Sequence, residues 1–201
     1  MTLHFEKRTR ENTLKKVLIY GYDGTGKSTF AEKYCNENGL KPVVIDVDDT
    51  NFTSLPIVTL RGCNNSIQTT RKMLELIKEV SNDTNFDTII IDGVSSLFEL
   101  LVGNGKGLSK YSERSENGMR IFRELNNSGL HVIFIGQADM EVIVNEDNPK
   151  PNKLILKVNS MVNEKYLCQK IGNAYNVEVM KKRTVENSTV TKNKTEKLGG
   201  V

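Results

Sequence analysis

The stretch VLIYGYDGTGKSTFAEKYC, residues 17–35, changes character twice along its length. It begins with apolar residues that favour a β-strand, turns through closely spaced glycines, and continues with residues that favour a helix. A strand, a flexible loop and a helix in this order are typical of the units that build α/β sheets. The stretch therefore predicts strand, loop and helix, and the composition of the loop indicates what it holds.

The loop matches the spacing GxxxxGK[ST] between Gly21 and Ser28, the P-loop signature, directly after a strand and at the start of a helix. Its glycines let successive backbone N–H groups point inward as an anion nest, which the positive end of the helix dipole reinforces. We expect nucleotide phosphates in this nest, with Lys27 reaching the β- and γ-phosphates and the Ser28 hydroxyl ligating Mg²⁺. The residues predicted to bind the nucleotide are Gly21, Asp23, Gly24, Thr25, Gly26, Lys27, Ser28 and Thr29.

Polar side chains also end three later apolar runs. The run in TIIIDGVSSL ends at Asp92, which we expect to hold Mg²⁺ together with the loop serine, although a strand-ending Asp is also a common turn or helix-cap residue. In the segment VVIDVDD, Asp48 and Asp49 follow the predicted strand. They are either solvated loop acids, or one of them is the base that deprotonates an attacking water, and Asp48 is the preferred candidate for that base. The run HVIFIGQ ends at Gln137, whose amide can bond the γ-phosphate or serve the core. The catalytic candidates are Lys27, Asp48 and Gln137.

The rest of the chain alternates between strands and amphipathic helices. Helices are predicted over 66–80 and 115–127, and polar insertions follow at 103–118 and 138–152. Unbroken apolar runs indicate parallel strands covered on both faces. The strand candidates are residues 17–20, 42–46, 56–60, 87–92, 131–136 and 153–158. The pattern predicts a doubly wound, mostly parallel α/β sheet in three α/β/α layers.

Charge is concentrated at the two ends of this chain of 201 residues with net charge +3. Residues 1–16 contain five basic and two acidic side chains, and residues 181–201 contain six and two, so the part between them is mildly acidic. We divide the chain into a basic N-terminal segment (1–16), a single core domain (17–183) and a basic polar tail (184–201). Basic ends suit a polyanionic partner, and they equally suit a role in solubility.

Neither a membrane nor an oxidising compartment is indicated. No apolar run approaches the roughly 20 residues of a membrane-spanning helix, and the N-terminus lacks the apolar core of a signal peptide. The three cysteines form no CxxC pair, so we expect reduced thiols. The expected location is the cytoplasm, that of a bacterial host if the gene is carried by a phage.

Taken together, YGYDGTGKST, VIDVDD, TIIIDGVSSL and HVIFIGQ resemble the core of RecA-type ATPases, in this order and with these gaps. They resemble more closely the short phage-encoded RecA-like proteins of the Sak group, which are linked with single-strand annealing and recombination. The resemblance covers roughly residues 14–183. It implies ATP and Mg²⁺ as ligands, and it places Asp48 where the family usually has a catalytic Glu.

The same resemblance implies contacts with DNA and between subunits. Gln137 matches an amide that relays the nucleotide state to a DNA-contacting loop, here 138–152. The insertion 103–118 stands where a second DNA-contacting loop lies, with Lys106, Lys110, Tyr111 and Arg114 as candidate contacts to single-stranded DNA. The tail resembles a K-x-R element that reaches a neighbour's γ-phosphate in ring and filament ATPases; here it would be Lys192 and Lys194.

The leading interpretation is an ATPase that acts on single-stranded DNA in recombination, annealing or replication and assembles into a ring or filament. A small P-loop nucleotide kinase is an alternative, with Arg114, Arg120 and Arg123 as candidates for an acceptor lid. A third possibility is a non-catalytic, nucleotide-switched partner of a replicative helicase. No residue distinguishes ATP from GTP, and only the family resemblance favours ATP.

Overall fold

The computed structural model describes residues 13–50, 54–138, 158–159, 161–183 and 195–198. Within them, five strands and four helices are interspersed up to β5, and three strands follow. The elements in chain order are β1 (Lys16–Gly21), α1 (Lys27–Glu37), β2 (Pro42–Asp46), β3 (Ile57–Thr59), α2 (Ser66–Asn82), β4 (Thr88–Asp92), α3 (Val94–Leu100), α4 (Ser109–Asn127), β5 (His131–Gln137), β6 (Glu164–Ile171), β7 (Ala174–Lys182) and β8 (Thr195–Leu198).

The strands form one sheet in the order β3-β2-β4-β5-β1-β6-β7-β8. The strands from β3 to β6 in this order pair in parallel, and β7 and β8 extend the sheet antiparallel. The P-loop strand β1 lies between β5 and β6, so its carboxyl end is flanked by other strand ends. The predicted mostly parallel sheet is therefore confirmed.

Apolar side chains on both faces of the sheet separate three layers. Along β1, Leu18 and Tyr20 pack into one core with α2, α3 and α4, whereas Val17 and Ile19 pack into a second core with α1. Because successive side chains of a strand point to opposite faces, an unbroken apolar run fills both cores at once. The layers follow directly from this composition.

Some predicted elements differ from the structure. The helix predicted over 115–127 begins six residues earlier, at Ser109, so much of the insertion 103–118 is helical rather than a loop. Strands β6, β7 and β8 were not predicted, and β8 falls within the segment predicted as a polar tail. The strand candidate 153–158 and the loop 138–152 lie almost entirely outside the described residues. No helix among the described residues is long and apolar enough to cross a membrane.

Candidate nucleotide site

The P-loop connects the end of β1 to the start of α1. Gly26 occupies the N-cap position with φ +77, a left-handed conformation that glycine adopts without strain, and no side chain caps the helix. The free N–H groups of the first helical turn are therefore available to an anion. A cavity opens at this point, and its walls are formed by Asp23, Gly24, Thr25, Gly26, Lys27, Ser28, Thr29, Asp48, Thr50, Asp92, Gly93, Ile135, Gly136 and Gln137. Of the residues predicted to bind the nucleotide, Gly21 is the one that is not among these wall residues.

Lys27 is the main cationic group of the cavity. Its Nζ donates a hydrogen bond to the Tyr22 carbonyl oxygen at 2.8 Å and lies 4.0 Å from Asp23 Oδ1. Its side chain is 12% exposed, and burial lowers its pKa, while Asp23 and Asp92 act in the opposite direction. The ammonium group is thus partly desolvated and directed at the anion nest, as the sequence predicts for a phosphate-binding lysine.

Ser28 and Asp92 meet at the centre of the cavity although they are far apart in sequence. The Ser28 hydroxyl donates to Asp92 Oδ2 at 3.0 Å. Asp92 ends β4 and is 4% exposed; burial raises its pKa, Asp46 and Asp48 raise it further, and the Ser28 hydrogen bond opposes them. The predicted pair is brought together by the position of β4 in the sheet.

Asp48 lies in the cavity wall beside Gly93. A Cβ atom at Gly93 would collide with the Asp48 carboxylate in its present position, and the φ of Gly93 is +90, so another residue here would be strained and would displace this carboxylate. Asp49, the other candidate base, instead forms an ion pair with Arg61 and is not part of the cavity wall. The structure therefore places Asp48, and not Asp49, in the wall of the cavity.

Gln137 reaches the P-loop from the end of β5. The last residue of β1, Gly21, is in register with Gln137, whose Nε2 donates to Asp23 Oδ1 at 2.6 Å. Its backbone N–H donates to Ser95 Oγ at 3.4 Å. Gln137 thus connects the nucleotide loop to the chain that continues past β5.

Sequence analysis missed several residues of this site. Thr50 joins the cavity through hydrogen bonds to Asp46 and Asp92, and Gly93 makes room for Asp48. The ring of Tyr175 on β7 lies against the P-loop, 3.4 Å from where a Cβ of Gly26 would stand. None of these contacts has a local sequence signal, because each joins segments that are distant along the chain.

The predicted DNA contacts lie away from the cavity. Lys106 precedes α4, while Lys110, Tyr111 and Arg114 stand on its first turns rather than on a flexible loop. The arginines of the alternative acceptor lid are also on α4, which packs against α2 as part of the core. The predicted trans-acting lysines, Lys192 and Lys194, lie outside the described residues.

The cavity suits a magnesium–nucleotide complex. Ser28 and Asp92 offer hard oxygen atoms, which Mg²⁺ prefers. No group of three or more His, Cys, Asp or Glu side chains in the described part of the chain could hold a metal alone. An ion at this position would therefore share its coordination with phosphate oxygens, as Mg²⁺ does in P-loop proteins.

Comparison with known proteins points to the same fold. A family model described as an AAA domain (AAA_24) matches residues 13–195. Among solved structures, the chain is similar to the KaiC-like protein PH0186 from the hyperthermophilic archaeon Pyrococcus horikoshii OT3, with a TM-score of 0.58 and 17% identity, covering 90% of this chain and 84% of that one. No curated protein matches significantly. The structural likeness confirms the predicted three-layer, RecA-like fold.

Proposed function

The chain belongs to the AAA domain family and has a P-loop ATPase core, and from this premise we propose that it binds ATP with Mg²⁺, hydrolyses the ATP and acts on single-stranded DNA. The observation that carries the nucleotide part is the 3.0 Å hydrogen bond between Ser28 and Asp92 in a cavity that Lys27 also lines. A hydroxyl, a buried carboxylate and a cationic side chain at a helix N-terminus are the groups that a metal–triphosphate requires.

Each side chain of the cavity has a distinct task in hydrolysis. Ser28 and Asp92 would hold Mg²⁺, which would offset the negative charge of the phosphates. Lys27 donates to phosphate oxygens, and Asp48 accepts a proton from the water that attacks the γ-phosphorus as the bond to ADP breaks. Gln137 exchanges its bond with Asp23 for one to the γ-phosphate or the water. Because Asp48 is one methylene shorter than the Glu usual in RecA-type ATPases, we expect slow basal turnover.

A basic and aromatic cluster supports the DNA part of the proposal; it consists of Lys110, Tyr111 and Arg114. Lys110 Nζ lies 4.9 Å and Arg114 Cζ 5.1 Å from the centre of the Tyr111 ring, which belongs to a residue 43% exposed. A cation-flanked, accessible aromatic ring suits stacking of a base beside a phosphate backbone.

The position of this cluster relates it to the nucleotide. Helix α4 leads through a short turn into the start of β5, so its other end, which carries the cluster, points toward the carboxyl ends of the strands. The nucleotide cavity opens at those same strand ends. DNA and nucleotide would therefore both bind near the carboxyl ends of the strands, an arrangement that favours coupling between the two sites.

Assembly into a ring or filament completes the proposal. It follows from the family resemblance, in which tail lysines reach a neighbour's nucleotide, and here it assigns that contact to Lys192 and Lys194. Contacts made only in the nucleotide-bound state would link assembly to ATP binding.

Phosphate release, measured with and without single-stranded DNA and over a range of protein concentrations, tests the function. We expect DNA and higher protein concentration to stimulate the wild type, and Lys27→Ala to abolish release. Lys33→Ala removes a partly exposed lysine of the same helix that does not line the cavity; it is the matched control and should keep full activity. Release that responds to neither DNA nor protein concentration would contradict the DNA and assembly parts.

Two further outcomes separate the alternatives. Transfer of labelled phosphate to a nucleoside monophosphate would identify a kinase, and tight ATP binding with only background turnover would identify a nucleotide switch. For the DNA face, combined alanine substitution of Lys110, Tyr111 and Arg114 should weaken DNA binding by at least tenfold, since stacking of one base alone contributes about 1–3 kcal/mol. Arg123→Ala, on the same helix but near its other end, should leave DNA affinity unchanged.

A further inference from the structure

Two hydroxyl groups from different parts of the chain approach one oxygen atom of Asp92. Ser28 Oγ lies 3.0 Å from Asp92 Oδ2, and Thr50 Oγ1 lies 3.4 Å from the same oxygen. Ser28 belongs to the first turn of α1, whereas Thr50 follows β2. The P-loop signature explains the serine, but nothing in that signature accounts for the threonine.

The turn that carries Thr50 is held at several points. The backbone N–H of Thr50 donates to the buried carboxylate of Asp46 at 3.1 Å, and the N–H of Val47 donates to the Asp92 carbonyl oxygen at 2.9 Å. Asp49 adopts a left-handed φ of +56, which Asp tolerates better than most residues, and its carboxylate is paired with Arg61. These contacts hold the Thr50 hydroxyl at the cavity wall, beside Asp92.

The charges around the two hydroxyls favour a cation. Asp46 and Asp92 are buried and Asp48 lines the same cavity, yet none of the three forms an ion pair within 4.0 Å with a lysine or arginine of the described residues. Oxygen atoms of hydroxyl and carboxylate groups are the ligands that Mg²⁺ accepts, directly or through its waters. Lys27 interacts electrostatically with Asp92 and Asp48 but forms no ion pair with either, so the acids outnumber the cations where Thr50 adds a neutral oxygen.

We propose that Thr50 would supply a second protein hydroxyl, besides that of Ser28, to the hydrated Mg²⁺ of the nucleotide site and so would couple the turn that bears Asp48 to the ion. This inference rests on the proposed function, because it assumes that the cavity binds Mg²⁺ with a nucleotide. Thr50 then acts as a metal-positioning residue on the same turn as Asp48.

The test measures ATP affinity by calorimetry while Mg²⁺ is varied, for wild type, Thr50→Val and Thr50→Ser. Valine keeps the shape of threonine without its hydroxyl, and serine keeps the hydroxyl. We expect Thr50→Val to raise the Mg²⁺ concentration at half-saturation about tenfold, the lower end of the loss seen when groups that support a metal are removed. Thr50→Ser should stay within about threefold of wild type, and ATP affinity in EDTA should be equal in all three.

The outcomes distinguish this inference from the function on which it rests. Equal Mg²⁺ dependence in wild type and Thr50→Val would overturn the role of Thr50 while leaving nucleotide binding intact. A wild type that binds no ATP under either condition would overturn the proposed function itself. Since Thr50 is exposed, valine should not prevent folding, and unchanged ATP affinity in EDTA verifies this. If Thr50→Val does lose its ATP affinity in EDTA, Thr50→Ser becomes the test. A Thr50→Ser protein that binds ATP normally in EDTA but needs tenfold more Mg²⁺ would then show that the metal role is wrong.

Discussion

Asp92 and Glu164 are buried carboxylates at opposite ends of the parallel strands, since Asp92 ends β4 and Glu164 begins β6. Each accepts hydrogen bonds from two hydroxyl groups. Asp92 receives those of Ser28 and Thr50, and its charged neighbours include further acids. Glu164, at the start of β6, receives those of Tyr34 and Tyr166, and it also pairs with Lys15 at 3.5 Å.

The two carboxylates differ in whether a lysine forms an ion pair with them. The lysine and the two tyrosines compensate the charge of Glu164 internally, so it serves the packing of the second core. Asp92 opens into a cavity, where hydroxyl groups donate hydrogen bonds to it and Lys27 interacts with it electrostatically without forming an ion pair within 4.0 Å. Burial and hydrogen bonding are therefore common to both carboxylates, and the lack of an ion pair to Asp92 among the described residues indicates that this carboxylate serves a ligand.

The largest expected effect is on activity at Asp92. Asp92→Asn should lower ATP hydrolysis at least about 100-fold, because metal-assisted charge stabilisation contributes several kcal/mol and 2.7 kcal/mol already corresponds to that factor. Steady-state phosphate release measures it, with the exposed-surface variant Glu79→Gln as the control. Wild-type rates in Asp92→Asn would show that this carboxylate does not hold the ion.

Glu164 should respond in stability instead. Glu164→Ala leaves Lys15 and two buried tyrosine hydroxyls without their acceptor, so we expect a loss of about 3 kcal/mol in the free energy of unfolding. Urea denaturation measures the loss, and the folded variant should bind ATP with unchanged affinity. If Glu164→Ala weakened ATP binding without changing stability, the assigned difference between the two carboxylates would be reversed.

Gly93 sharpens the comparison within the nucleotide edge. Gly93→Ala adds a Cβ at φ +90 that collides with Asp48, so it should destabilise the fold by about 1–2 kcal/mol and also reduce kcat. Gly129→Ala is the matched control, because its φ is +74 but no atom lies within 4 Å of the added Cβ. Thermal unfolding and initial rates should show strain in both variants and lost activity only in Gly93→Ala.

The smallest effect concerns pH. Burial raises the pKa of Asp92 in the folded state, so its ionisation opposes folding, and the protonated form's contribution to stability is lost as pH rises through the folded-state pKa. In EDTA without nucleotide, Asp92→Asn should therefore melt about 2–4 °C above wild type near pH 8, the shift that about 1 kcal/mol gives in a chain of this size. The difference should shrink toward pH 4. A pH-independent difference would contradict the burial effect.

The P-loop and Asp92 were predictable because each is recognised from neighbouring residues in the sequence. The P-loop requires particular residue types at fixed spacing, and Asp92 ends an apolar run that forms a buried strand. The contacts of Thr50 were not predictable, since they depend on β2 and β4 lying side by side. The sequence alone does not fix that pairing.

The hairpin of β6 and β7 has a weaker sequence signal, and it was not predicted. Strands β6 and β7 are joined by the two residues Gly172 and Asn173, a pair typical of tight hairpins, with Gly172 at φ +62. The start of α4 was missed because its glycine-, serine- and charge-rich surroundings resemble a loop. Its helical state comes from packing of the later turns, where Ile121 and Phe122 enter the first core.

The central claim is that the cavity beside Asp92 binds a magnesium–nucleotide complex through the P-loop. Calorimetric titration of ATP with Mg²⁺ into wild type and Lys27→Ala tests it most directly. We predict saturable one-site binding to the wild type and affinity about 10–100-fold weaker in Lys27→Ala, as expected when a hydrogen bond from a charged group worth about 1.5–3 kcal/mol is lost. No binding to the wild type, or equal affinity in the two proteins, would contradict the account.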